Sequence, residues 1–151
     1  MKIKGFILSL VIAAMLMVPS ASFGAAAVVT QQMYKLYENV YKLRFSIVAD
    51  STNGSVTSTT TEHNIDGFVF MVITNPGATA PDEYGIVLNN SDGIDVMGGK
   101  LAARHATTSQ VAVPSFDDVR GSIYVDGPLT MVISDQATNS AIIVMDIYFY
   151  R

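Results

Sequence analysis

The residues best suited to chemistry lie in one polar turn, NNSDGID, at Asn89–Asp95. Side-chain oxygens of Asn90, Asp92 and Asp95 alternate around a glycine, which is how Ca²⁺-binding loops place their ligands. The twelve-residue helix–loop–helix spacing and its final bidentate glutamate are absent, however. A hairpin turn with solvated polar side chains explains the same residues. The sequence therefore predicts either a Ca²⁺ site at these three residues or a plain turn.

The other ionisable residues do not form a recognisable catalytic set. His63 and His105 each stand alone in polar sequence, without the spacing of a metal-binding pair. A glycosidase needs two carboxylates at a set distance across a cleft, and the many aspartates of this chain offer no preferred pair. A Gly-x-Ser-x-Gly elbow, a glycine-rich phosphate loop and cysteine are all absent. We predict that the protein is not an enzyme and has no cofactor apart from the candidate Ca²⁺.

Composition and charge narrow the class of partner. Half of the 151 residues are hydrophobic and 15% are charged, which is typical of one globular domain with a substantial core. There are 9 Lys+Arg against 13 Asp+Glu, a net charge of −4, and the basic residues are not clustered. Nucleic-acid binding needs such clusters. We therefore predict protein partners and no nucleic acid.

The first residues have the pattern of a secretory signal peptide. Two lysines precede the apolar run Gly5–Val18, and the small residues up to Gly24 fit cleavage before Ala25. An uncleaved membrane anchor is the alternative, although the run is shorter than the ~20 residues of a spanning helix. We predict a signal peptide at 1–24 and a domain at 25–151. The mature protein is then exported to the periplasm or medium and is free of the membrane.

The elements that must position these residues are short and β-prone. Tyr41–Ala49 alternates apolar and polar side chains, which indicates a half-buried strand, and a hairpin turn is predicted at Asn53-Gly54. Ser55–His63 is predicted to be an edge strand or a flexible linker. Phe68–Thr74 is apolar on both faces, which predicts a central strand covered on both sides.

Other stretches are more ambiguous or concern surfaces. Ala25–Glu38 is predicted to be an initial strand or an extended arm, and Ile94–Met97 a strand. The last strand, Ala141–Tyr150, places Tyr148 and Tyr150 opposite its core side. Because tyrosine is common in protein interfaces, these two residues are predicted to form one.

The whole pattern predicts an all-β fold. Seven to nine short strands at regular spacing, with no long helix, are typical of a single antiparallel β-sandwich, either jelly-roll or Ig-like.

The stretch TNPGATAPDEYGIVLNNSDGIDVMGGKLAAR (Thr74–Arg104), followed by VDGPLTMVIS, resembles a family of small proteins encoded in tailed-phage and prophage genomes. Members pair a signal-like N-terminus with T-x-P-G-x-x-A-P, a Tyr-Asp-x-x-Leu strand, an acidic Asp-Gly turn and a Gly-Gly break. The resemblance covers roughly Asp66–Tyr150. It departs at Gly85, where an acidic residue is usual, and at His105, where aspartate is common. It implies a phage setting and carries no catalytic residue.

These observations together predict a non-enzymatic structural or interaction protein. The lead hypothesis is a virion or decoration-type β-sandwich whose partners are virion proteins or further copies of itself. The alternative is an exported surface or periplasmic binding module for glycan, protein or Ca²⁺. A small periplasmic hydrolase is the third hypothesis.

Overall fold

The computed structural model describes residues 24–151, which form eleven short strands and no helix. Accordingly, this part of the chain contains no helix that could cross a membrane. The predicted signal peptide, 1–24, lies outside the described residues except for Gly24, so its cleavage stays a prediction. In chain order the strands are β1 (Val28–Lys35), β2 (Val40–Val48), β3 (Thr59–Thr60), β4 (Gly67–Pro76), β5 (Gly85–Asn89), β6 (Gln110–Ala112), β7 (Ser115–Phe116), β8 (Val119–Arg120), β9 (Ile123–Val125), β10 (Thr130–Ser134) and β11 (Ile142–Tyr150).

The strands form two main antiparallel sheets and one small ladder. The larger sheet has the order β1-β2-β11-β4-β6, and β9 pairs with β4 beside β6. The smaller sheet has the order β3-β10-β5, and β7 pairs with β8. The predicted all-β, antiparallel β-sandwich is confirmed. The strands outnumber the predicted seven to nine because several of them are pairings of only two or three residues.

One apolar core holds the two sheets together. The alternation in β2 buries Leu43, Phe45 and Ile47 completely, and the same period in β11 buries Met145 and Ile147. These side chains belong to the same packed cluster as those of β5 and β10. Each such side chain contributes about 1.5–3 kcal/mol by leaving water, so this alternation decides which face of each strand points inward.

The turn at Asn53-Gly54 is present, but the predicted hairpin is wrong. Gly54 adopts a φ of 71°, and its N–H donates to the carbonyl of Asp50 at 3.1 Å. The strand before this turn belongs to the larger sheet, whereas β3 belongs to the smaller one, so the turn carries the chain between sheets. Turn residues specify local dihedral angles but not which strand pairs next.

The structure decides the predictions for four further segments. Ala25–Glu38 contains a true strand, β1, and Ser55–His63 contributes only the two-residue edge strand β3. Ile94–Met97 is wrong as a strand, because it forms turns with a single bridge between Asn89 and Asp95. Phe68–Thr74 is central in the sheet as predicted, but only one of its faces is covered by the core.

The turn after β2 also makes a testable contribution to pH-dependent stability. The Oδ1 atom of Asp50 accepts hydrogen bonds from the N–H groups of Thr52 at 2.6 Å and Asn53 at 3.1 Å. These bonds lower the pKa of Asp50 below its ordinary value of 3.8. Because the pKa is lower in the folded state, the ionised carboxylate stabilises the fold above the unfolded-state pKa, and this contribution disappears as the pH falls through the folded-state value.

Asp50→Asn keeps an oxygen acceptor in the turn but removes the titration. We expect the free energy of unfolding of this variant to fall less between about pH 5 and pH 2 than that of the wild-type protein. Denaturant unfolding at a series of pH values measures the difference. Parallel pH profiles for the two proteins would contradict the assignment.

Candidate functional site

Five aromatic side chains lie together on the face of the larger sheet that points away from the core. This outer aromatic face consists of Phe68 and Phe70 on β4, Tyr124 on β9, and Tyr148 and Tyr150 on β11. The ring centroids of Phe68 and Tyr150 are 5.2 Å apart in a stacked arrangement, and Tyr124 meets Phe68 edge-on at 5.1 Å. Phe70 lies 6.3 Å from Tyr148 and 6.0 Å from Tyr150. The sequence predicted Tyr148 and Tyr150 for this side but missed the other three residues.

A β-bulge in β4 adds Phe70 to this face. Tyr148 pairs with Met71, whereas the next residue of β11 pairs with Val69, so Phe70 is an extra residue in the ladder. The extra residue shifts the phase of the strand, and Val69 and Val72 are both fully buried although they are three positions apart. The run that reads as apolar on both faces is therefore a bulged strand with one open face.

A charged group lies on the same face of β11, two residues before Tyr148. Asp146 is only 3% exposed, and its two carboxylate oxygens accept hydrogen bonds from Nε and Nη2 of Arg44, both at 2.7 Å. The Nζ atom of Lys42 lies 3.9 Å from the same carboxylate and 4.5 Å from the ring centroid of Tyr34. The hydrogen bond that Arg44 donates to Asp146 raises the pKa of Arg44 above its ordinary value. The carboxylate is thus paired within the sheet surface, and Lys42 and Arg44 together leave one positive charge in excess beside the aromatic rings.

Two of the three candidate Ca²⁺ ligands, Asn90 and Asp95, accept hydrogen bonds within the turn itself. Asp95 accepts hydrogen bonds from the N–H groups of Met97 at 3.0 Å and Gly99 at 2.7 Å. Asn90 Oδ1 accepts from the N–H groups of Asp92 at 3.1 Å and of the residue at position 94 at 2.9 Å. Within residues 24–151, no group of three His, Cys, Asp or Glu side chains is arranged to hold a metal ion. Ca²⁺ binding here stays a prediction, and the hydrogen bonds favour the alternative of a plain turn.

A small cavity of about 190 Å³ lies beside Arg104 and His105. The polar atoms of His105 form hydrogen bonds within their own loop. The Nδ1 atom of His105 accepts from the N–H groups of Thr107 at 3.1 Å and Thr108 at 3.2 Å. Gln110 Oε1 in turn accepts from the N–H of His105 at 2.7 Å. Burial lowers the pKa of Arg104, whose guanidinium also donates to the carbonyl of residue 100. The ring of His105 therefore accepts hydrogen bonds that close its own loop.

The fold and the outer aromatic face define an all-β sandwich protein with an open aromatic sheet face. No family model matches the chain, and no curated protein matches it. Among solved structures it is similar to a capsid asymmetric unit of cyanophage Pam1, with 12% identity over 78% of this chain and 88% of that chain and a TM-score of 0.48. It is also similar to a cupin domain from Bordetella pertussis Tohama I, with 11% identity over 82% and 93% of the two chains and a TM-score of 0.31. Similarities at these levels carry no argument about function.

Proposed function

We propose that this protein is a non-enzymatic structural component of a phage particle, attached to another particle protein through its outer aromatic face. The observation that carries the proposal is the open face itself. Phe68, Tyr124 and Tyr150 are exposed on this face, and Phe70 and Tyr148 are half-buried beside them. Exposed apolar patches of this kind mark interaction sites in soluble proteins.

The size of the outer face suits a protein partner. The nine residues of β11 span about 30 Å at ~3.4 Å per residue, and the five strands of the main path span about 20 Å. The whole outer side of this sheet therefore measures roughly 600 Å², against ~800 Å² per partner in a standard protein–protein interface, and the outer aromatic face is the part of it that lies on β4, β9 and β11. Aromatic residues at the centre with few net charges are also the composition of interface cores.

The arrangement of the rings favours a protein over a glycan. Phe68 and Tyr150 are stacked at 5.2 Å with an interplanar angle of 16°, so each ring covers one face of the other. Sugar-binding sites stack the apolar face of a pyranose on an open aromatic ring, and here ring faces are used within the protein. Ring edges and aliphatic carbons are what the surface offers, which suits the packing of other side chains.

The phage setting rests on the sequence resemblance rather than on the outer face. The resembling stretch, Thr74–Arg104, begins near the end of β4 and continues through β5 and the turns that follow it. That stretch carries the densest resemblance and contains none of the five aromatic residues, although the full range of the resemblance, roughly Asp66–Tyr150, includes them. The proposed particle partner is therefore tested directly on particles.

Quantitative mass spectrometry of purified particles and of the periplasm from a producing host tests the proposal. We expect peptides of this chain at a fixed copy number per particle, including an N-terminal peptide that begins near Ala25 if the leader is removed. Confinement of the protein to periplasm or medium would show that the particle role is wrong. The exported binding module would then become the leading hypothesis.

A further inference from the structure

A cavity of about 380 Å³ lies beside β6, and none of its lining residues belongs to the outer aromatic face. It lies among β6, the β7–β8 hairpin and the turn that precedes Leu101. Its lining residues are Lys100, Val111, Ala112, Val113, Ser115, Asp118 and Arg120. The lining thus combines the backbone and side chains of β6 with charged side chains of the hairpin and of the turn.

The cavity runs along a free strand edge. Val111, Ala112 and Val113 are consecutive, and side chains of consecutive strand residues point to opposite faces of a sheet. All three can line one cavity only where the backbone edge itself borders it. β6 pairs with β4 on one side, and within residues 24–151 its other edge has no strand partner. Its unpaired backbone N–H and C=O groups therefore face an open space.

The charges around this edge select an acidic occupant. Lys100 and Arg120 line the cavity, although the chain as a whole carries a net charge of −4. Ser115 also lines the cavity and is only 5% exposed. Asp118 is fully exposed, and its carboxylate lies 4.0 Å from the Nζ atom of Lys100. A carboxylate that arrived from outside would meet two cations and one hydroxyl donor, with Asp118 as its competitor.

We propose that this cavity binds an extended, acidic peptide segment of a partner protein as an additional strand along β6. The backbone of the segment would pair with the free edge, and its Asp or Glu side chain would lie between Lys100 and Arg120 within reach of the Ser115 hydroxyl. In such strand addition, main-chain hydrogen bonds supply affinity and side-chain pockets supply specificity. The exposed Val111 and Val113 favour β-branched neighbours on either side of the acid. This site does not depend on the outer aromatic face.

A display library of random decapeptides, selected on the full mature chain, provides the probe. We expect enrichment of sequences with one Asp or Glu among β-branched residues, and weaker binding at higher NaCl because partly exposed ion pairs are screened. The best peptide, labelled with fluorescein, is then titrated against variants by anisotropy. Replacement of its acidic residue by the matching amide is expected to weaken binding about tenfold.

The hairpin turn supplies a matched pair of variants. Asp117 and Asp118 both adopt positive φ, 48° and 62°, and asparagine tolerates that conformation well. Only Asp118 lines the cavity. We expect Asp118→Asn to tighten peptide binding about threefold by removing the competing carboxylate, and Asp117→Asn, with the same change in charge, to alter it less than twofold. The double variant Lys100→Met, Arg120→Gln is expected to weaken binding about tenfold or more.

Three results would overturn the proposal. The first is enrichment of the same peptides by the Lys100→Met, Arg120→Gln variant. The second is displacement of the peptide by free phosphate or glutamate at millimolar concentration, which would indicate a simple anion site. The third is amide chemical-shift changes on peptide binding that leave Val111 and Val113 unaffected. Thermal melts of each variant confirm that the substituted side chains, which are exposed, leave the fold intact.

Discussion

Gly98→Ala is expected to lower the free energy of unfolding by about 3 kcal/mol, a large share of the stability of a domain this size. Gly98 has a φ of 59°, where a residue with a Cβ atom costs about 1–2 kcal/mol. A Cβ atom built there would also lie 2.0 Å from the carbonyl oxygen of Ser115, so the backbone of one segment must move. Overpacking of this kind costs about 1–3 kcal/mol more.

The neighbouring glycine separates the two causes. Gly99 has a φ of 76°, but a Cβ atom there would meet nothing within 4 Å. We therefore expect Gly99→Ala to cost only about 1 kcal/mol, from backbone strain alone. Denaturant unfolding of both variants measures the difference. Equal losses at the two positions would mean that the contact between this turn and Ser115 does not constrain the fold.

Phe68→Glu is expected to reduce the copy number of the protein in particles at least 30-fold. Phe68 is 39% exposed and contacts both Tyr150 and Tyr124, so it lies at the centre of the outer aromatic face. Truncation or charging of a central aromatic residue costs about 2 kcal/mol or more of binding free energy. The side chain is partly in solvent, but loss of its two aromatic contacts should still lower the free energy of unfolding of the isolated protein by about 1–3 kcal/mol.

Val87→Glu is the matched control for this experiment. Val87 is 36% exposed, lies on a strand and points outward, but it belongs to the smaller sheet. We expect this variant to enter particles at the wild-type copy number, measured by quantitative mass spectrometry beside Phe68→Glu. Normal incorporation of Phe68→Glu would show that the outer aromatic face is not the docking surface. A loss shared by both variants would point to a general effect of added charge instead.

Much of the fold can be predicted from the local periodicity of apolar residues. The alternation in Tyr41–Ala49 and in Ala141–Tyr150 predicted both strands and their buried faces correctly, since a period of two determines which side chains can leave water together. Tyr148 and Tyr150 were placed on the outer side by the same rule. Glycine and Asx residues likewise predicted where several turns occur, including Asn53-Gly54 and Asp92-Gly93.

The errors arise where one segment depends on another that is distant in sequence. The hairpin predicted at Asn53-Gly54 is wrong because turn residues do not determine strand pairing, and β2 pairs with β1 and β11. The bulge at Phe70 could not be predicted from the sequence, since many apolar residues can occupy such a position. Asp95 resembled a metal ligand, but its oxygens accept backbone N–H groups once the turn has closed.

The sequence alone determined the class of this protein: its short strands, their buried faces and the lack of a recognisable catalytic set follow from residue types and local spacing. Only the tertiary structure decided which surfaces are available for binding. Strand order brings Phe68 and Tyr124 beside Tyr150, and joins Arg44 to Asp146 across 102 positions of sequence. Within residues 24–151 it also leaves one edge of β6 without a strand partner. Such contacts depend on which strands pair, and pairing is selected by burial of the whole core rather than by any single segment.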